Sequence, residues 1–190
     1  MSLAIVVIVL GTYAAPSAEE LERERAGLAR NYPKTVKGVW EPAIHHGHQL
    51  IRDELPELKE LGVNTIHVLL SHEFVDDELE LRSVPPLSGE KAEREYIDRI
   101  VKAKKAGFAV SLVPTYFRHV PETIPNLEAF DEFVLEQSRK WAQIAEAYKV
   151  EYFSPIDEYE KLMAAQGLPG DVLVERVNSW NRDERSKFLC

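Results

Sequence analysis

From residue 36 onward, short apolar runs alternate with helical periods, and no other feature of the chain constrains its fold as much. Val36–Trp40 reads as a strand, followed by a helix from about Asp53 to Leu61 with Leu55, Leu58 and Leu61 on one face. Pro56 is tolerated in the first turn of that helix, and Gly62 closes it. Val63–Leu70 is the clearest strand, and a helix from about Glu90 to Ala106 presents Tyr96, Ile97, Ile100 and Val101 before Gly107. Phe108–Tyr116 is the third strand. The long helix after it, from about Leu127 to Tyr148, repeats Leu127, Phe130, Val134, Trp141, Ile144 and Tyr148 behind an Asn126 cap. Val150–Pro155 is the fourth strand, and helical periodicity resumes from Asp171 to about Asp183. Near-continuous apolar strands separated by amphipathic helices predict an α/β fold of four βα units, with a parallel sheet and right-handed crossovers.

With 190 residues, 45% of them hydrophobic and 29% charged, the chain has the material for one substantial core. Its net charge of −9 argues against nucleic acid as a partner, because phosphate binding needs clustered Lys and Arg. Cys190, the only cysteine, excludes an intramolecular disulfide. The first eighteen residues carry no charged side chain. Leu3–Leu10 followed by small residues is expected to be a signal peptide or membrane-anchor remnant (1–18), with a buried strand as the alternative. The expectation that goes with it is an extracellular or outward-facing, membrane-anchored protein with a membrane tether at its amino terminus. Residues 19–30, rich in Glu and Arg, read as a polar stalk, which leaves 31–190 as the barrel-like domain.

The run Val150-Glu-Tyr-Phe-Ser-Pro-Ile-Asp-Glu-Tyr-Glu160 ends a buried strand in a knot of carboxylates. A glycosidic oxygen leaves readily only when protonated, and a carboxyl donates that proton near neutral pH when burial or a neighbouring carboxylate raises its pKa. Asp157, Glu158 and Glu160 form such a neighbourhood. For Asp157 and Glu160 a helix N-terminal dipole role competes with catalysis. Trp40 and Glu41 after the first strand, His72 and Glu73 after the second, and Tyr116, Arg118 and His119 after the third are candidate sugar contacts. Aromatic faces suit the apolar side of a pyranose, and acids or histidines suit its hydroxyls.

Leu-Lys-Glu-Leu-Gly-Val-Asn-Thr-Ile (58–66), Ala-Lys-Lys-Ala-Gly-Phe (103–108) and Tyr-Phe-Ser-Pro-Ile-Asp-Glu (152–158) together resemble the amino-terminal half of a TIM-barrel glycoside hydrolase of the large retaining clan. The resemblance covers roughly residues 36 to 180. It implies retaining hydrolysis of a β-linked oligo- or polysaccharide without a cofactor or metal, with Glu158 as general acid and base. The clan's Asn before that Glu is Asp157 here. Its nucleophile, at the end of a seventh strand, has no counterpart, so the chain is expected to be truncated and inactive alone. Open sheet edges would then favour self-association.

A rival reading uses His46 and His48, a His-x-His pair with His72 or His119 completing a metal site as in amidohydrolase-type barrels. Pro42, Ala43 and Ile44 separate that pair from the strand end, and no strand-four Lys follows. A third reading is a non-catalytic carbohydrate-binding half barrel.

Overall fold

A computed structural model describes residues 17–41, 54–75, 78–83, 87–118, 124, 126–155, 163–164 and 166–179. The elements in chain order are α1 (Ala18–Arg25), β1 (Gly38–Glu41), α2 (Leu55–Glu60), β2 (Thr65–Val75), β3 (Glu78–Ser83), β4 (Leu87–Ser88), α3 (Gly89–Lys105), β5 (Ala109–Arg118), α4 (Leu127–Ala147), β6 (Tyr152–Phe153) and α5 (Gly170–Ser179).

Four strands run parallel in the order β1-β2-β5-β6, with Gly38 opposite Thr65, Thr65 opposite Ala109, and Ser111 opposite Tyr152. Each new parallel strand therefore lies beside the one before it. That consecutive order is the order of a TIM barrel, whereas a doubly wound sheet reverses direction at a switch point. The fold is thus α/β, of parallel TIM-barrel-like units. One excursion escaped the sequence reading. β3 pairs antiparallel with the far end of β2 (Ser71 opposite Arg82) and β4 with β3, so β1 and β3 share the edge of β2 that β5 leaves open. Its signal was present in the strict alternation Glu78-Leu-Glu-Leu-Arg82.

Alternation along β2 and β5 sorts the side chains by face. Ile66, Val68, Leu70, Val110 and Leu112 are fully buried against the helices, where they meet Tyr96 and Ile100 of α3 and Trp141 of α4. The buried stripe of α4, Phe130, Val134, Ser138, Trp141 and Ala145, follows helical spacing. Its N-terminus is secured by the Asn126 side chain, which accepts hydrogen bonds from the amides of Glu128 and Ala129, both at 3.1 Å. Gly107, at φ +84°, turns the chain out of α3 in a left-handed conformation that side-chain-bearing residues adopt at a cost.

The amino-terminal pole is tied by polar side chains. Asn64, the last residue of the Leu-Gly-Val-Asn motif, accepts from the Lys37 amide at 2.9 Å and donates to the Thr35 carbonyl at 2.8 Å, clamping the approach to β1. Glu151, whose side chain has no exposure, pairs with the buried Lys104 and accepts from the amides of Val110 (2.7 Å) and Asn31 (2.6 Å).

Residues 19–30, expected as a solvated stalk, are docked onto the domain instead. Arg94 of α3 binds Glu24 through two hydrogen bonds of 2.8 and 2.7 Å, Arg30 donates to the Val150 carbonyl at 3.1 Å and pairs with Glu146, and Leu28 packs on the core. Composition suggested solvation because the acids and bases of this segment balance locally; their partners sit more than sixty positions away. Residues 1–16 lie outside the described residues. No described helix is long and apolar enough to cross a membrane.

Candidate functional site

Parallel strands deliver their carboxyl ends to one pole, where βα loops build the binding sites of such folds. Here that pole carries Glu41, the end of β2, Arg118 and the residues that follow Phe153. β6 is held there by the Ser154 amide, which donates to the Leu112 carbonyl at 3.0 Å, and by the Ser138 hydroxyl, which donates to the Pro155 carbonyl at 2.5 Å.

On the sheet face away from the helices, the register sets Trp40, His67, Ser111 and Tyr152 in one row across all four strands. Trp40 is 52% exposed, and its ring stacks on His67 with centroids 4.6 Å apart and planes 27° from parallel. Tyr152 meets the edge of Tyr32 at 5.8 Å. Gly38 explains how His67 lies flat in this row. A Cβ at position 38 would sit 2.2 Å from the His67 Nε2, so only glycine lets the imidazole pass over β1. Partial burial lowers the His67 pKa, keeping the ring neutral and able both to donate and to accept. His67 was read only as part of a strand. Its sequence signal, one imidazole in an apolar run, gave no hint of Trp40, 27 positions earlier.

Of the sequence candidates, Trp40 is thus an exposed aromatic supported by a second ring. Glu41, Tyr116 and Arg118 are placed at the strand ends through their backbone. His72 faces the other way. It is 1% exposed, its Nδ1 lies 3.2 Å from the Thr115 carbonyl, and its ring meets the edge of Phe133 on α4 at 6.2 Å. A carbonyl only accepts, so Nδ1 carries the proton. A sugar hydroxyl has no access to that ring. Asp157, Glu158, Glu160, His46, His48 and His119 lie outside the described residues. Among the described residues, no group of three or more His, Cys, Asp and Glu side chains is placed to hold a metal ion.

Burial, helped by the charge of Lys140, pushes the His72 pKa down to about 4. The unfolded imidazole titrates near about 6.5, so as pH falls the unfolded chain binds this proton first. The stability contributed by neutral His72 is present above about pH 6.5 and is lost as pH falls to about 4, a loss of about 3 kcal/mol. Urea unfolding from pH 7 to 4 should show that slope, and His72→Leu should flatten it relative to the parent chain.

The fold and the pole define a TIM-barrel-like α/β protein with an aromatic platform on its inner sheet face. No family model and no curated protein matches the chain. Two solved structures, described as a GH113 β-1,4-mannanase and a complex of a GH113 β-1,4-mannanase, are similar to it. The complex shares 18% identity with a TM-score of 0.45 over 68% of this chain, and the other shares 17% at the same TM-score over 74%. This chain spans about half the length of each, 50% and 52%.

Proposed function

We propose that this chain is the glycan-binding, acid/base-bearing part of a glycoside hydrolase that acts on a β-linked glycan with retention. The observation that carries this reading is the parallel register of β6 on β5. It sends the chain beyond Phe153 toward the carboxyl end of the sheet whose inner face carries the exposed Trp40–His67 stack. Glu158, five residues past the strand, is the general acid in this reading. It protonates the leaving glycosidic oxygen and afterwards deprotonates the water that releases the sugar. Trp40 receives the apolar face of a pyranose ring, and Glu41, Tyr116 and Arg118 are candidates for its hydroxyls. In a retaining enzyme the partner carboxylate stands about 5 to 5.5 Å from the acid.

Two substitutions test the reading. Titrating the chain calorimetrically with β-linked gluco-, manno- and xylo-hexasaccharides should give heat with at least one, and Trp40→Ala should weaken that binding about tenfold or more. In the full-length protein, Glu158→Gln should lower hydrolysis of the same glycan by about 10² to 10⁴ with binding retained. Unchanged turnover in Glu158→Gln removes the assignment. Glycan binding without hydrolysis in the full-length parent points instead to a carbohydrate-binding role. Activity that disappears with chelator and returns with zinc points to the His46/His48 metal reading.

A further inference from the structure

Between α1, α3 and α4 lies a cleft of about 480 Å³. Its volume lies in the range of small-molecule sites. The walls are apolar, formed by Leu21 of α1, Ile97 of α3, and Ile144 and Ala147 of α4.

The charges lining the cleft are mostly spoken for. Arg94 is held by Glu24 and by Asp98 at 2.6 Å, and Lys140 pairs with Glu93. Arg25 differs. Its Nε donates to the Leu21 carbonyl at 3.0 Å and its guanidinium lies 5.7 Å from the centroid of the Tyr148 ring, but among the described residues it meets no carboxylate. The Tyr148 ring is largely buried while the residue lines the cleft, and no hydrogen bond to its hydroxyl is present among the described residues. Burial and the nearby Glu24 carboxylate raise its pKa, so the hydroxyl stays protonated and is a donor. Gln143 adds a side-chain amide to the lining, and the Glu90 carboxylate is exposed to water.

We infer that this cleft is a binding site for a small amphiphilic monocarboxylate, its carboxylate held by the Arg25 guanidinium and the Tyr148 hydroxyl and its apolar body lying along Leu21, Ile97, Ile144 and Ala147. A carboxylate is the ligand group that answers both features at once, since Arg and a phenol O–H are donors and a charged acceptor strengthens each bond. An uncharged polar head would leave the guanidinium without a counter-charge in a partly dry site. The site is independent of the glycan reading, because its lining comes from α1, α3 and α4 and includes none of the residues assigned there to the glycan.

Octanoate is a suitable probe, with octanamide and octylamine as controls of equal chain length. Calorimetry on the chain should show octanoate binding saturably, with both controls at least about tenfold weaker. Tyr148→Phe and Arg25→Gln, each confirmed as folded by circular dichroism, should each weaken octanoate about tenfold and leave the two controls unchanged. The assignment is overturned if octanoate does not bind the parent chain, if octylamine binds as tightly through Glu90, or if both variants retain the parent affinity. Tyr148→Phe separates the hydrogen bond from packing, because the ring that stacks with Arg25 is kept.

Discussion

Replacing Glu151 by Ala should destabilise the chain by about 3 to 5 kcal/mol, the usual result of removing one member of a buried ion pair. The Lys104 ammonium, whose side chain is 2% exposed, would remain without its counter-charge. The amides of Val110 and Asn31 would lose their acceptor in the same step. Such a loss is a large share of the roughly 5 to 15 kcal/mol that separates folded from unfolded domains. Urea denaturation followed by far-UV circular dichroism reads it directly. Lys104→Met in the same chain should recover part of the loss, since the uncompensated charge is then gone although the two amides still lack a partner. Equal midpoints for the parent and Glu151→Ala would mean that water reaches this pair and the pole is not closed.

Trp141→Ala should cost about 3 to 5 kcal/mol, and Trp141→Phe far less. The indole is fully buried and meets the edge of Tyr96 at 6.2 Å, so truncation to Ala opens a cavity between α4, α3 and the sheet. Among the described residues the buried indole Nε1 has no hydrogen-bond acceptor, a condition that costs about 1 to 3 kcal/mol for a neutral donor. Phenylalanine removes that donor and keeps most of the aromatic volume, so the two contributions partly cancel. Chemical denaturation of both variants separates them, and equal losses for Ala and Phe would show that the N–H is in fact satisfied.

Local periodicity explains why much of the fold was legible in the sequence. The buried stripes of α3 and α4, the Asn126 cap and the apolar cores of β2 and β5 each follow from residues within a few positions of one another. The fourth strand was legible too, but only Tyr152 and Phe153 form it, because Val150 and Glu151 are taken up in the turn from α4. What escaped depended on distant partners. Glu151 belongs by sequence to the acidic run, yet it lies at the opposite pole from the residues after Phe153, bound to an amide 120 positions earlier. The pairing of Glu24 with Arg94 turned an expected stalk into part of the domain. The Trp40–His67 stack required knowing the β1–β2 register, which no periodicity within either strand specifies. His72 carries the same lesson in reverse. Its position near a strand end suggested the binding rim, whereas the bulge between Ser71 and Glu73 accompanies a side chain turned toward α4.

In the proposed function the carboxylates following β6 act at the carboxyl end of the sheet face that carries the exposed Trp40–His67 stack. A crystal structure of the chain with a bound β-linked hexasaccharide tests this most directly. The account predicts a sugar ring on the Trp40 indole and the Glu158 carboxyl beside a glycosidic oxygen of the same ligand. Density placing Glu158 at the pole of Asn64 and Gly107, or enclosed among the helices, would contradict it.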